Sequence, residues 1–184
     1  MAVVLLAGGA RSGKSELACN LAIARGGPTV FVATARAGDD EMQVRIARHR
    51  AQRPSGWRTI EEPVELAAAL SSIPDDSVTV LDCLTLWVSN LMLEGLDDEA
   101  IEACSADALA VAARPRGDVI VVTNEVGSGV HPPTGLGRRF QDVLGRVNVA
   151  WSRGATDAFL VVAGRVLALS DSAALVGPSA SKAP

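Results

Sequence analysis

Ala2-Val3-Val4-Leu5-Leu6-Ala7, running straight into Gly8-Gly9-Ala10-Arg11-Ser12-Gly13-Lys14-Ser15, is the stretch that decides the fold. Six apolar residues have the length of a buried strand. From Lys14 onward Leu17, Ala18, Leu21 and Ala22 recur at helical spacing. The loop between them fits G-x-x-x-x-G-K-S in full, in the context of strand before and helix after that a phosphate-binding loop requires. Backbone N–H groups can wrap a polyphosphate only where glycine permits close approach and positive φ. A helix opening at Gly13 turns its positive end to the phosphates. Lys14 then reaches the β- and γ-phosphates, and the Ser15 hydroxyl is placed as a Mg²⁺ ligand. Motif and context together read as binding of ATP or GTP with Mg²⁺; an ordinary turn rich in small residues is the plain alternative.

Outward from this loop, apolar runs and helical patterns alternate. Thr29–Thr34 reads as a strand, then a helix begins at the acidic Asp39-Asp40-Glu41 and runs to about Gln52, before Pro54. Trp57–Ile60 reads as a short strand, Pro63–Leu70 as a helix, and Ser77–Asp82 as a strand ending in an aspartate. Helices over Leu84–Leu93 and Asp97–Ala113 follow, then a strand over Asp118–Thr123. Leu136 to about Arg153 reads as a helix, Ala158–Ala163 as a core strand and Val166–Leu169 as one more. The pattern predicts an α/β, P-loop NTPase-type three-layer fold with a mainly parallel central sheet. It predicts one catalytic domain over 1–169 and a flexible tail over 170–184. Ligands of such sheets sit beyond the carboxyl ends of the strands. The site is therefore expected at Gly8–Ser15, Thr34–Arg36, Asp82 and Asn124-Glu125.

The chain has 184 residues, 48% of them hydrophobic, and a net charge of −4. That length suits a single domain with a full sheet. The acidic balance argues against nucleic acid or an acidic membrane as partner. Cys19, Cys83 and Cys104 form no CxxC pair, so free thiols in a reducing compartment are expected rather than disulfides or zinc. The apolar N-terminus is too short for a signal peptide, and no apolar run reaches membrane-spanning length. The expected location is cytoplasmic.

Three residues outside the loop are candidates for chemistry. Asp82 closes a strand where a carboxylate would hold Mg²⁺ opposite Ser15; it could equally cap the helix from Leu84. Glu125 could orient or deprotonate an attacking hydroxyl, or be a turn carboxylate. His49 shares a helix face with Met42 and Ile46, which favours a half-buried core histidine. Yet Arg45, Arg48, Arg50 and Arg53 surround it, four guanidinium groups in nine residues. Their mutual repulsion is relieved by an anion among them. Such a field would keep the imidazole neutral and nucleophilic, able to attack a phosphorus atom. His131 lies in a His-Pro-Pro loop expected to be exposed.

The ordered series of motifs carries a resemblance. Gly8–Ser15, Ala33-Thr34, Asp39–Met42 with Arg45-Ile46 and His49, Arg53-Pro54, Trp57–Thr59 with Glu61, Val122–Gly127 and Gly145–Asn148 together resemble the bifunctional adenosylcobinamide kinase/adenosylcobinamide-phosphate guanylyltransferase family of cobalamin biosynthesis. The resemblance spans about residues 3–165 and implies two reactions. ATP or GTP phosphorylates the hydroxyl of adenosylcobinamide, a corrinoid; GMP from GTP is then joined to that phosphate. It implies a guanylyl-histidine intermediate at His49. Nucleotide contacts carry over to Gly8, Gly9, Ala10, Arg11, Ser12, Gly13, Lys14 and Ser15, to Ala33, Thr34 and Ala35, to Arg50, Ala51, Gln52 and Arg53, and to Glu61 and Asp82. It also implies a homotrimer. Three positions depart from the family: Arg48 stands where a second histidine precedes the nucleophile, Asp82 where glutamate is common, and Pro132-Pro133 where one proline follows the histidine. A P-loop kinase in which His49 is structural, and a non-enzymatic nucleotide switch, stay open as alternatives.

Overall fold

The N-terminal apolar run forms β1 (Val3–Ala7) and the helix after the glycine loop forms α1 (Lys14–Arg25). The computed structural model describes residues 2–38, 40–51, 53–114 and 117–171, and the backbone but not the side chains of Glu41 and Arg45. The chain continues through β2 (Thr29–Ala33), α2 (Asp40–Ala51), β3 (Arg58–Glu61), α3 (Leu66–Ser71), β4 (Val78–Asp82), α4 (Leu84–Leu93), α5 (Asp98–Ala112), β5 (Val119–Val122), α6 (Gly135–Gly154), β6 (Asp157–Val162) and β7 (Arg165–Ala168). Each element read from the pattern is present. Asp39, Gln52 and most of the expected tail (172–184) lie outside the described residues.

Local chemistry sets the ends. Gly26, at φ +72°, closes α1, and Asp97 caps α5 by accepting a hydrogen bond from the Ala100 N–H at 2.8 Å. Helix α3 begins three residues later than the Pro63 pattern predicts. The Glu62 carboxylate accepts from the N–H groups of Val64 and Glu65, both at 2.9 Å, which holds these residues in a turn ahead of the helix.

The seven strands lie in the order β3-β2-β4-β5-β1-β6-β7. Every pairing is parallel except β6 with β7. That pair is a hairpin closed by Ala163 and Gly164 at φ +51° and +74°, positive at both positions as a tight hairpin turn requires. Alternation along the strands divides the core. Val3, Leu5, Val32, Leu81 and Val121 face α3, α4, α5 and α6, whereas Val4, Leu6, Phe31, Val80 and Ile120 face α1. Trp151 of α6 is fully buried on the first face, and its indole N–H donates to Ser105 Oγ of α5 at 3.0 Å. No helix among the described residues is long and apolar enough to cross a membrane.

Helix α2 behaves differently from the others. None of its described residues belongs to either core. It lies over the carboxyl ends of the strands, with Met42, Ile46, Ala47 and His49 lining a cavity there.

Candidate active site

The glycine loop has the backbone the motif demands. Gly8 has φ +151°, and a Cβ on it would lie 2.2 Å from the Val161 carbonyl oxygen. Gly13 caps α1 in the left-handed region at φ +99°, so the free N–H groups of the first helical turn point out of the loop. The Lys14 side chain folds back under the loop: Nζ donates to Gly8 O at 2.9 Å, Gly9 O at 2.6 Å and Ser12 Oγ at 3.3 Å. Its charge is thus already centred in the nest that would receive a phosphate.

This loop forms one wall of a cavity of about 850 Å³. Ala33, Asp82 and Val122 are direct neighbours across the ends of β2, β4 and β5, and all three line it. So do Ala10 through Ser15, Ala35, Arg50, Arg53, Glu61 and His49. The sequence-derived candidates therefore converge, with six exceptions among the described residues; one is Arg36, which instead pairs with Glu94 at 2.6 Å. Gly8 and Gly9 are not on the lining, and their carbonyls hold Lys14. Thr34 is fully buried; its hydroxyl donates to Cys83 O at 2.7 Å and accepts from Cys83 N–H at 2.9 Å, so its side chain ties β2 to β4 and does not face the cavity. Ala51 is exposed and off the lining. Glu125 is exposed as well, its carboxylate accepting from the Gly127 N–H at 2.7 Å, as in the turn reading. Gln52 lies outside the described residues.

Asp82 does not serve as a helix cap. The cap of α4 is Cys83. Arg53 lies over the Phe31 ring with Cζ 3.8 Å from the centroid, and its NH1 donates to Thr59 Oγ1 at 3.4 Å. Burial lowers its pKa, while the nearby Asp82 acts in the opposite direction. Arg50 forms an ion pair with Glu61 at the end of β3. The basic residues Arg48, His49 and Arg50 occupy the last turn of α2, where the helix dipole favours cations. The arginine cluster thus has a carboxylate, a ring and a helix end to offset its repulsion, in addition to any bound anion.

The face of α2 bearing Met42, Ile46 and His49 reads as core by its spacing, but it is turned to the cavity. Periodicity reports that a face is covered, not what covers it. Asn124, expected at the site together with Glu125 as a residue past a strand end, lines the cavity, and neighbouring loop residues carry no pattern that says which of the two points in.

The residues suit Mg²⁺. No cluster of three or more His, Cys, Asp or Glu able to hold a metal exists among the described residues. The Ser15 hydroxyl and the Asp82 carboxylate are among the oxygen donors that line the cavity. Hard oxygen donors in small number, completed by water and phosphate oxygens, are what Mg²⁺ takes.

Comparison with known proteins identifies the family. A family model described as cobinamide kinase/cobinamide phosphate guanyltransferase matches residues 4–169. The bifunctional adenosylcobalamin biosynthesis protein CobP of Pseudomonas aeruginosa strain PAO1 is 46% identical over 147 residues, 79% of this chain and 84% of that one. The corresponding CobU proteins of Escherichia coli K12 and Salmonella typhimurium LT2 are 38% and 37% identical, each over 88% of this chain and 96% of their own. Among solved structures, an ATPase of the type III secretion system of pathogenic bacteria aligns with TM-score 0.55 at 13% identity, over 95% of this chain and 53% of that one. A Pyrococcus horikoshii OT3 protein aligns with TM-score 0.54 at 12% identity, over 91% and 85%. These two share the fold alone. The motifs, the cavity they converge on and the match over nearly the whole chain lead to one conclusion: the chain belongs to the cobinamide kinase/cobinamide phosphate guanyltransferase family.

Proposed function

We propose that this one cavity performs both transfers, phosphorylation of adenosylcobinamide by ATP or GTP and then transfer of GMP from GTP to the resulting phosphate through a guanylyl-histidine at His49. The observation that carries the reading is that His49 and the phosphate loop line the same cavity although they lie on different elements. A triphosphate held by the loop would lie in the same cavity as the His49 face of α2.

In the first transfer the loop N–H groups and Lys14 stabilise the charge on the moving phosphoryl group. Ser15 and Asp82 would hold Mg²⁺, which neutralises phosphate charge when bound. In the second, a ring nitrogen of neutral His49 forms a bond to the α-phosphorus as the bond to the β-phosphate oxygen breaks, releasing pyrophosphate. A phosphate oxygen of the corrinoid then displaces the imidazole. One difficult displacement becomes two easier ones. Arg53, with Arg50 once exchanged from Glu61, supplies positive charge along the triphosphate. Glu125 lies off the cavity lining with one carboxylate oxygen accepting from the Gly127 N–H, so this reading assigns it no base role.

The test uses GTP labelled at the α-phosphate, with Mg²⁺ and no corrinoid. After denaturation, acid-labile and alkali-stable label should remain on the protein and vanish in His49→Ala. Nucleotide binding without any label would leave a kinase with a structural histidine. Homotrimeric assembly and a cytoplasmic location belong to the same reading. The exposed apolar side chains of Val162, Val166 and Leu167 on the edge hairpin favour burial between subunits, which sedimentation velocity would detect.

A further inference from the structure

The second and third residues after β5 lie in different places. Asn124 lines the cavity, and Glu125 does not. The segment is laid along the start of the phosphate loop: Thr123 N–H donates to Leu6 O at 3.0 Å, and Glu125 N–H to Gly8 O at 3.0 Å. Gly8 O is also one of the carbonyls that hold Lys14 Nζ, at 2.9 Å. Asn124 is therefore set between two bonds that join it to the loop.

Its own peptide groups are fastened by side chains from two helices. The Asn124 N–H donates to Thr85 Oγ1 of α4 at 2.7 Å, and its carbonyl accepts from Asn148 Nδ2 of α6 at 3.0 Å. Asn148 is itself oriented, since its Oδ1 accepts from Thr123 Oγ1 at 2.6 Å. Thr85 and Thr123 are buried, with their hydroxyls 3.5 Å apart. Both backbone polar groups of one loop residue are thus held by a connected network. Among the described residues, no hydrogen bond occupies the side-chain amide that this network presents. A network so placed fixes a side chain for use, because a positioned group avoids the reorganisation that a free loop residue undergoes.

We infer that Asn124 is a catalytic residue of the phosphoryl transfer, bridging the acceptor hydroxyl and the γ-phosphoryl group, and that Asn148 is its positioning residue. The inference rests on the reading of this cavity as the kinase site. A primary amide carries one acceptor and two donors on one plane. Its Oδ1 accepts from the attacking hydroxyl while its Nδ2 donates to a γ-phosphoryl oxygen. The acceptor oxygen then bonds to the γ-phosphorus, the bond to the bridging oxygen breaks to leave the nucleoside diphosphate, and the hydroxyl proton passes to solvent. Asn124 exchanges no proton. A carboxylate in its place would accept from the hydroxyl but repel the phosphate, so Asn124→Asp should restore nothing.

The experiment measures transfer from γ-labelled ATP to adenosylcobinamide with Mg²⁺, alongside ATP affinity. Asn124→Ala and Asn124→Asp should each lower kcat roughly 100-fold, the scale of one lost transition-state donor, with ATP affinity little changed. Asn148→Ala should lower kcat in the same sense, and in an Asn124→Ala background it should lower it no further. A merely structural Asn148 would multiply its loss onto that of Asn124→Ala, which would overturn the positioning role. If Asn148→Ala fails to fold, Thr85→Ala, which removes the other anchor, takes its place. Wild-type kcat in Asn124→Ala overturns the catalytic role. Lys14→Ala is the control: lost transfer there with full transfer in Asn124→Ala sinks this inference alone, whereas full transfer in Lys14→Ala sinks the reading of the cavity as well.

Discussion

The carbonyl oxygen of Val161 fills the space that a side chain on Gly8 would need, 2.2 Å from where its Cβ would stand. The cause is the sheet, since β6 runs beside β1 with Ala7 opposite Leu160, so the next residue pair meets just as the loop begins. Gly8 is thus demanded by the neighbouring strand as well as by the phosphate. Gly8→Ala should weaken folding through backbone strain of roughly 1–3 kcal/mol and displace the loop. Denaturant unfolding and nucleotide titration should both register the change; a variant with native stability and affinity would contradict it.

Arg53 stacked on Phe31 combines a planar charge with a ring face. Arg53→Lys keeps the charge and loses the stacking, so the flexible ammonium is no longer aimed into the cavity. GTP affinity should fall about five- to tenfold, the scale of one cation–π contact, with the melting temperature little changed. Calorimetric titration of the variant beside Arg53→Ala checks this; equal losses in the two would show that the stacking is irrelevant.

On the far side of the molecule, Arg139 and Arg146 of α6 grip Asp98 at the start of α5, at 2.6 and 2.8 Å, and Arg146 also holds Glu102. The hydrogen bond from Arg139 lowers the Asp98 pKa most; burial opposes it, and the hydrogen bond from Arg146 adds to the lowering. A depressed carboxylate pKa stabilises the fold above the ordinary carboxylate range, and the contribution is lost as pH falls through the lower folded value. The group is exposed, so the contribution is of surface scale, about 0.2–1 kcal/mol. Asp98→Asn should lower the melting temperature slightly near pH 7. The difference should close in strong acid, and it should shrink in about 1 M salt.

Burial first, and Asp82 second, push the Cys83 thiol up to about 12. The half-buried Cys19 and Cys104 are also raised by burial. Near pH 8 a maleimide should label Cys104 and Cys19 slowly and leave Cys83 untouched until the chain unfolds. Peptide mass spectrometry of pulsed samples reads the order, and early label on Cys83 would contradict the buried placement.

The elements were legible because each carries a local signature: apolar runs for β1, β2, β4 and β5, and caps or stops such as Gly26 and Asp97 at helix ends. The order of the strands was not, since parallel crossovers place β4 and β5 between β1 and β2 without any mark in those segments. Within the site, Lys14, His49, Arg53 and Asp82 were legible from motif and clustering, and they line one cavity. Thr34 and Glu125 show the limit. Whether a residue just past a strand points into the cavity or ties the backbone depends on neighbours such as Cys83 and Gly127 that are set by the tertiary fold.

Because α2 supplies no described residue to either core, the histidine proposed to carry the guanylyl group stands on an element that adds no side chain to the cores of the sheet. On the proposed mechanism, phosphate holding and guanylyl carrying are therefore written into separable parts of the chain. The β1–loop–α1 unit tolerates little change, whereas the cavity face of α2 can vary with small effect on folding. A second reaction can be tuned, or dismantled to leave a plain kinase, by substitutions confined to that one helix.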